Sequence, residues 1–360
     1  MIGVVVRELT FLKVLQPIMD ELHDSGAKYI LYHFDAPRGN KEYNRATLEK
    51  IKQSSTRIVK NAHKVKAFPN DKQLLKQFVH DKITKLVSLE VYLWAKGYLK
   101  QLKQNNIKIY SILYLTDSLW QPSPECITAM DRVYYTSEYI KSTHLDFLGI
   151  KGNPRRDRTL GNPIYNNLMN KVSDGKDVLV MLPNLRAEHV PVSFGSKENF
   201  VKIIKTLADG NNLIFKTRKK QWLPAEIKQY AKEIIDDGDE MFPASITKAF
   251  RETHTTVMFY SSGIYEAVYA GNYVVNIPLP LKRWGWDKGK MKEYFSTEDW
   301  NLYNFRGVVE SVTQKEILSG SWKLKKKDID IDARIHWISK FIGSVPMLSE
   351  KVIVKDILCG

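Results

Sequence analysis

The first residues of the chain alternate between short apolar runs and a segment with helical spacing. Residues 2–6 are apolar apart from one glycine and predict a buried strand. Apolar residues at helical intervals over 12–22 predict a helix, which Gly26 would end. Residues 28–34 are rich in aromatic and branched side chains and predict a second strand. The chain therefore opens with a strand, a helix and a strand.

The pattern that follows is mostly helical before strands return. Residues 42–104 have helical spacing, interrupted near Pro69. Apolar runs at 107–115 and 132–137 predict two further strands, and residues 138–147 predict the helix behind them. Strands that alternate with helices indicate a parallel sheet with helices on both faces, so we expect a doubly wound α/β domain.

A proline-, glycine- and arginine-rich segment at 152–163 interrupts this alternation and predicts a domain boundary. Beyond it the same order of elements restarts. The predicted strands are 178–182, 212–216, 255–260 and 273–277, and the predicted helices are 197–208, 225–235 and 263–270. The 360 residues exceed one typical core, so we expect two domains, at 1–160 and 161–335. A helical segment at 336–360 is expected to return to the first domain.

Basic residues are concentrated in one part of the chain. The formal net charge is +15, and residues 50–108 contain fourteen Lys or Arg against three acids. This excess indicates a surface for an anionic partner, such as a membrane face, a charged glycan or a nucleic acid. Solvated helix faces would explain it equally well, because the lysines are spread through a helical pattern. Both interpretations stay open.

The N-terminal residues, the longest apolar runs and the cysteines indicate in which cellular compartment the protein is expected. The first apolar run meets Arg7 and Glu8 before a signal peptide could form, and no later run approaches membrane-spanning length. Cys126 and Cys359 are far apart and lack the spacing of metal ligands. We therefore expect a soluble cytoplasmic protein, free or at a membrane surface, with reduced thiols.

A strand, a turn and the start of a helix at residues 256–278 carry the most informative chemistry. Hydroxyls and backbone N–H groups of Ser261, Ser262 and Gly263 would bind a phosphate at the helix N-terminus, where the peptide dipoles favour negative charge. Glu266 lies one turn further, where its carboxylate would accept hydrogen bonds from two ribose hydroxyls. Serine caps and a first-turn glutamate also occur for structural reasons alone, but these explain the whole string less well.

The order of these residues resembles the donor-site signature of the GT-B glycosyltransferase superfamily. The Ser-Ser-Gly turn is followed by Glu266-Ala, by Ala270-Gly and by an apolar strand that ends in Pro278. The string is similar to the donor domains of CDP-glycerol glycerophosphotransferases and of the non-hydrolysing UDP-N-acetylglucosamine 2-epimerases. Residues 159–166 resemble the linker between the two domains of such chains. The resemblance implies two Rossmann-like domains with a deep interdomain cleft, in which a nucleotide-sugar binds as co-substrate without another cofactor.

Two further stretches resemble the same superfamily. The loop after the first strand of the second half implies that Asn184 and Arg186 face the nucleotide-sugar. Residues 212–218 resemble a strand that usually ends in Lys-Pro-His, here with Lys216 retained and Arg218 at the His position. In GT-B enzymes such cations commonly neutralise the departing diphosphate in place of a metal, so we expect no metal requirement.

The catalytic base of a transferase would be one carboxylate or imidazole at the carboxyl end of a first-domain strand. Glu8, His33, Asp35 and Asp117 satisfy this rule. We favour Glu8 and Asp117, because His33 has the context of a packing residue and Asp35 precedes a turn sequence.

These features together predict a glycosyltransferase that moves a sugar from a nucleotide-sugar to a hydroxyl acceptor such as a glycan or glycolipid. A glycerol-phosphate transferase with a CDP-linked donor and a nucleotide-sugar 2-epimerase are the enzymatic alternatives. The epimerases carry Arg-Pro-Glu near the N-terminus, whereas this chain has Arg7-Glu8-Leu9. A basic protein that binds nucleic acid is the non-enzymatic alternative, and no stretch resembles a known nucleic-acid module.

Overall fold

The computed structural model shows two compact units. It describes residues 1–7, 11–34, 45–69, 72–113, 122–161, 163, 175–183, 186–218, 223–237, 246–280, 301–343 and 349–360. Unit 1 comprises Met1–Asn166 and Ile342–Gly360, and unit 2 comprises Asn167–Phe341.

Unit 1 is built on a parallel sheet whose described strands have the order β3-β2-β1-β4-β5-β6-β7. The strands are β1 (Ile2–Val6), β2 (Tyr29–Phe34), β3 (Lys64–Phe68), β4 (Lys85–Leu89), β5 (Lys108–Ile112), β6 (Arg132–Tyr135) and β7 (Asp157–Thr159). The helices between them are α1 (Leu12–Asp24), α2 (Arg45–Ile58), α3 (Lys72–His80), α4 (Val91–Ala95), α5 (Leu99–Gln104), α6 (Pro124–Thr128) and α7 (Glu138–Leu148). The predicted doubly wound α/β fold is confirmed.

The prediction that residues 42–104 are mostly helical is wrong at two places. β3 lies at the edge of the sheet, and its half-exposed Lys-Val-Lys-Ala-Phe sequence has no apolar run. β4 lies between β1 and β5 and is buried from Leu86 onward. Both strands are five residues long among lysine-rich helices, so local periodicity does not separate them from helix; pairing with distant strands decides their conformation.

The end of the chain completes unit 1 with α15 (Ser349–Cys359), which packs on α1. Lys85 Nζ donates hydrogen bonds to the backbone oxygens of Ile357 (2.5 Å) and Leu358 (3.2 Å). Lys108 donates to the backbone oxygen of Gly360. Cations at this position stabilise the helix, because the last carbonyls of a helix carry partial negative charge.

Unit 2 repeats the plan with the strand order β10-β9-β8-β11-β12-β13, again all parallel. The strands are β8 (Asp177–Met181), β9 (Leu213–Arg218), β10 (Ala231–Asp237), β11 (Thr253–Met258), β12 (Tyr273–Asn276) and β13 (Val309–Ser311). The helices are α8 (Val190–Phe194), α9 (Lys197–Ala208), α10 (Ala225–Lys228), α11 (Ile246–Glu252), α12 (Ile264–Tyr269), α13 (Gln314–Ser319) and α14 (Ile331–Phe341). Within the described parts of the chain, none of the helices combines the length and the apolar character needed to cross a bilayer.

The predicted helix at 225–235 is wrong in its second half. The helix ends at Lys228, and Ala231–Asp237 is the edge strand β10, which pairs in parallel with β9. The segment is polar and largely exposed, and β9 is its one neighbour among the described strands. A charged edge strand of this kind discourages pairing with other chains, and its sequence imitates a surface helix.

Candidate functional site

The strand order of unit 2 reverses between β8 and β11, which are neighbours in the sheet. In parallel sheets the connections after two such strands leave toward opposite faces, and the space outside their carboxyl ends is the usual place for a ligand. Met258 at the end of β11 is in register with Met181 at the end of β8. The segment Phe259–Gly263 therefore begins at this reversal point, where the sequence predicted a phosphate site.

The turn after β11 is held in a strained conformation. Tyr260 has φ 49°, a left-handed value that costs a non-glycine residue about 1–2 kcal/mol. Its backbone N–H donates to Asn276 Oδ1 at 3.0 Å. The Tyr303 ring packs edge-on against Tyr260, with ring centroids 5.0 Å apart, and its hydroxyl donates to the backbone oxygen of Ser261 at 3.5 Å. These contacts fix the backbone that presents Ser261 and Ser262.

Most hydrogen-bonding groups at the start of α12 bond within the turn. Ser261 Oγ accepts from the Gly263 N–H at 3.2 Å, and the backbone oxygens of Ser261 and Ser262 accept from Ile264 and Tyr265. For the backbone N–H groups of both serines and the hydroxyl of Ser262, the described residues contain no hydrogen-bond partner. Both serines are half-buried. The donors left for a ligand are therefore those of Ser261 and Ser262.

Gly263 and Glu266 lie on either side of the first helical residue. A Cβ on Gly263 would stand 2.4 Å from Met181 Cε, so the turn rests directly against the end of β8. A glycine allows this close approach. Glu266 lies in the first turn of α12 and is half-buried, at the position that the sequence predicted.

The predicted cations differ in their surroundings. Lys216 is 9% exposed, is in register with Met181, and donates from Nζ to the backbone oxygen of Thr217 at 2.8 Å. Two strand spacings, about 10 Å, separate its strand from β11. The Arg186 side chain is 76% exposed and lies 3.8 Å from Glu188. Arg218 ends β9, and its side chain lies outside the described residues, as does Asn184.

Asn276 is a polar residue of this region that the sequence interpretation missed. It ends β12, is fully buried, and uses Oδ1 to hold Tyr260. Among the described residues its Nδ2 has no hydrogen-bond partner, which is costly for a buried amide. A polar side chain in the otherwise apolar strand Tyr273–Asn276 was the available signal. We count Asn276 among the candidate ligand contacts.

Unit 1 has its own reversal point, between β1 and β4. Val5 and Ser88 are the last registered pair of these strands, and Arg7 and Glu90 each follow two residues later. Glu90 is 1% exposed and has φ 47°, ψ 50°, and its N–H donates to Ile112. The sequence interpretation missed this carboxylate because it missed β4. The favoured candidates Glu8 and Asp117, and also Asp35, lie outside the described residues.

His33 is buried in β2 and contacts α2. Ser55 donates its hydroxyl to the backbone oxygen of Ile51, so its Oγ accepts from His33 Nδ1, 2.5 Å away. Burial lowers the pKa of His33 to about 4, which leaves the ring neutral at pH 7. These contacts agree with the packing role that its context indicated.

Acid is expected to destabilise unit 1 through His33. The unfolded ring, with a pKa near 6.5, binds a proton below that pH, whereas the folded ring does so only near pH 4, so stability falls as the pH drops between these values. At pH 5 this protonation lowers the free energy of unfolding by about 2 kcal/mol. Calorimetric unfolding of the unmodified protein and of His33→Gln at pH 7 and pH 5 measures it. An equal loss of stability in both proteins would contradict the assignment.

The described residues contain no group of three or more His, Cys, Asp or Glu side chains arranged to hold a metal. Asp328 is fully exposed, and Asp330 Oδ1 accepts from the Ala333 N–H at the start of α14. Asp330 therefore caps this helix.

Solved structures with a similar fold cover the whole chain. The UDP-GlcNAc 2-epimerase from Methanocaldococcus jannaschii has a TM-score of 0.57 and 13% identity over 100% of this chain and 99% of its own. The UDP-GlcNAc 2-epimerase from Neisseria meningitidis bound to UDP-GlcNAc has a TM-score of 0.57 and 14% identity, and the match covers 100% of both chains. Anabaena Alr3699/HepE in complex with UDP and glucose has a TM-score of 0.51 and 11% identity, over 100% of this chain and 99% of its own. The fold is of the GT-B type. Neither a protein-family model nor a curated protein matches the sequence.

This fold confirms the two Rossmann-like domains that the resemblance implied. At identities of 11–14% the likeness concerns the fold alone. The two Rossmann-like sheets, each with its own reversal point, are the elements on which the predicted chemistry depends.

Proposed function

We propose that this protein is a glycosyltransferase that binds a nucleotide-sugar at the carboxyl edge of the unit 2 sheet. The observation that carries the proposal is the turn at Ser261, which begins at the β8–β11 reversal point and leaves the N–H groups of Ser261 and Ser262 without partners among the described residues. N–H groups of this kind bind phosphate oxygens. Structures of similar fold were solved with UDP-GlcNAc and with UDP and glucose, which supports this ligand class.

In this proposal different residues of unit 2 bind different parts of the nucleotide-sugar. Ser261 and Ser262 hold the diphosphate, and Asn276 Nδ2 donates to the same ligand. Glu266 accepts from the ribose hydroxyls. Arg186, Lys216 and Arg218 neutralise the charge that develops on the diphosphate, and no metal is required. Asn184 faces the nucleotide-sugar as an uncharged contact.

The transfer itself needs one base. The acceptor oxygen bonds to the anomeric carbon, the bond from that carbon to the diphosphate oxygen breaks with its electron pair leaving on the diphosphate, and the acceptor proton passes to a carboxylate. Glu8 and Asp117 stay candidates, and the structure adds Glu90. We propose that unit 1 binds the hydroxyl acceptor and supplies this base.

Glu266→Ala is expected to weaken nucleotide-sugar binding by about 10- to 100-fold, because hydrogen bonds to a charged group contribute about 1.5–3 kcal/mol. Titration calorimetry with UDP-, GDP-, dTDP- and CDP-linked sugars and with CDP-glycerol measures the affinities. Glu198→Ala is the matched control, since Glu198 also lies in the first turn of a helix, α9, and is exposed. Equal affinity of the Glu266 variant and the unmodified protein would remove the ribose assignment, and no binding of any nucleotide would remove the proposed function.

A 2-epimerase is the second candidate, because two of the similar structures are UDP-GlcNAc 2-epimerases. Epimerisation needs acid and base groups on both faces of one sugar carbon, and the sequence departs from the Arg-Pro-Glu of that family at Arg7-Glu8-Leu9. NMR of the protein with UDP-GlcNAc alone separates the two. A transferase leaves the sugar configuration of the unreacted donor unchanged, whereas an epimerase produces the C2 epimer without any acceptor.

A further inference from the structure

The α2–β3 edge of unit 1 carries a dense set of exposed cations. We name it the α2–β3 ridge and define it by Arg45, Lys50, Lys52, Lys60 and Lys64, all exposed. Arg57 is also exposed but has an interaction partner, so it is not part of the ridge. Residues 45–69 contain seven Lys or Arg and a single acid, Glu49. The seventh cation, Lys66, forms an ion pair with Asp81 at 2.7 Å and is not part of the ridge.

The packing of α2 explains why these cations stay in solvent. Its inward face consists of the half-buried Leu48, Ile51 and Ile58 and the buried Ser55, which bonds to His33. The helix packs on β2 and β3 through this face, so the basic positions occupy its remaining circumference. β3 is the outermost described strand and adds Lys64 beside them.

Like charges at this density repel one another, and an anionic surface relieves the repulsion. Four of these five cations are lysines, which are flexible point charges suited to a mobile anionic surface, whereas arginine suits fixed bidentate phosphate contacts. The one Phe, Tyr or Trp in 45–69 is Phe68, which is half-buried in β3. The ridge therefore offers no exposed Phe, Tyr or Trp ring on which nucleic-acid bases could stack, and its one exposed aromatic side chain among the described residues is the imidazole of His63. A 14-residue helix is about 21 Å long and presents its charges to a flat partner.

We propose that the α2–β3 ridge docks this protein on the surface of a lipid bilayer that contains anionic headgroups. Each lysine or arginine near such a surface strengthens binding about fivefold. The inference concerns unit 1 alone and is independent of the nucleotide-sugar proposal for unit 2.

Cosedimentation of the full chain with lipid vesicles tests the proposal. We expect binding to phosphatidylcholine vesicles with about 30 mol% phosphatidylglycerol and no binding to phosphatidylcholine alone. Raising the salt from about 0.1 M to about 1 M, which shortens the Debye length from about 10 Å to about 3 Å, should release the protein. Equal binding to both kinds of vesicle would overturn the proposal, as would binding to neither.

Two triple variants assign the effect to the ridge. Lys50→Gln, Lys52→Gln and Lys60→Gln together should weaken vesicle binding on the order of 100-fold. The matched control is Lys202→Gln, Lys205→Gln and Lys228→Gln, three exposed lysines of α9 and α10 in unit 2, and should bind vesicles as the unmodified protein does. Both triple variants should keep the nucleotide affinity of the unmodified protein. An equal loss of vesicle binding in both would show that net charge alone acts.

A random-sequence single-stranded oligonucleotide provides the remaining test. If it binds the unmodified protein with a steep salt dependence, loses its affinity in the ridge variant, and displaces the protein from vesicles, the ridge is a nucleic-acid surface and the proposal is wrong. Vesicle binding that persists in the presence of the oligonucleotide supports the bilayer.

Discussion

Glu90→Gln is expected to lower kcat by about 10²- to 10⁴-fold, the usual contribution of a general base. The side chain is 1% exposed and follows the last residue of β4, beside the strand β1 at which the sheet order of unit 1 reverses. Its left-handed backbone, φ 47°, is a strained conformation of the kind that concentrates at functional sites. Glutamine keeps the shape of the side chain and removes its ability to take a proton.

Nucleotide affinity, measured by calorimetry in the same preparations, should be unchanged in Glu90→Gln, because the proposed nucleotide contacts all belong to unit 2. Glu125→Gln, an exposed glutamate of α6, is the control for the chemical replacement and should keep full activity. Glu8→Gln and Asp117→Asn belong in the same series. If Glu90→Gln keeps its full kcat while Glu8→Gln or Asp117→Asn is inactive, Glu90 is not the base and the residue changed in the inactive variant is.

Gly343→Ala is expected to destabilise unit 1 by about 3–5 kcal/mol, among the largest effects of a single substitution. Gly343 has φ 98°, which is unfavourable for alanine. A Cβ there would also lie 2.3 Å from the backbone oxygen of Thr136 and 3.5 Å from Gly161 Cα. Both neighbours are backbone atoms and cannot rotate away, so the segment that begins at Ile342 would have to shift. Calorimetry should show a melting temperature lower by about 10 °C.

Gly149→Ala separates the clash from the conformational cost. Gly149 ends α7 with φ 65° in the same unit, and a Cβ there meets no atom within 4 Å. It should cost only about 1–2 kcal/mol. If the two variants melt at the same temperature, the close approach of Gly343 to Thr136 does not contribute to the stability of unit 1.

Most elements with a strong local signal could be predicted from the sequence. The apolar spacing of α9 and its serine cap define that helix at Lys197–Ala208 as predicted, since Ser196 Oγ accepts from the Asn199 N–H. The turn at Ser261 was predicted from the identity of its residues, because serine and glycine between an apolar strand and an apolar helical pattern favour a helix N-terminus. The doubly wound fold followed from the alternation of such elements.

The residues that support the turn could not be found in this way. Asn276 and Tyr303 reach Tyr260 and Ser261 from 16 and 42 positions along the chain, and no local pattern relates them. Glu90 was counted among the charges of a helical stretch, because five residues of β4 do not outweigh the lysine-rich pattern around them.

The sequence by itself therefore determined which elements alternate, where the turn at Ser261 begins, and where the cations accumulate, since each depends on neighbours within a few residues. Only the tertiary structure decided that residues 64–68, 85–89 and 231–237 are strands, because hydrogen bonds to β2, β1, β5 and β9 override their helical propensity. It likewise decided that Glu90 directly follows a central strand, because the order of strands in a parallel sheet is set by contacts between residues far apart in sequence.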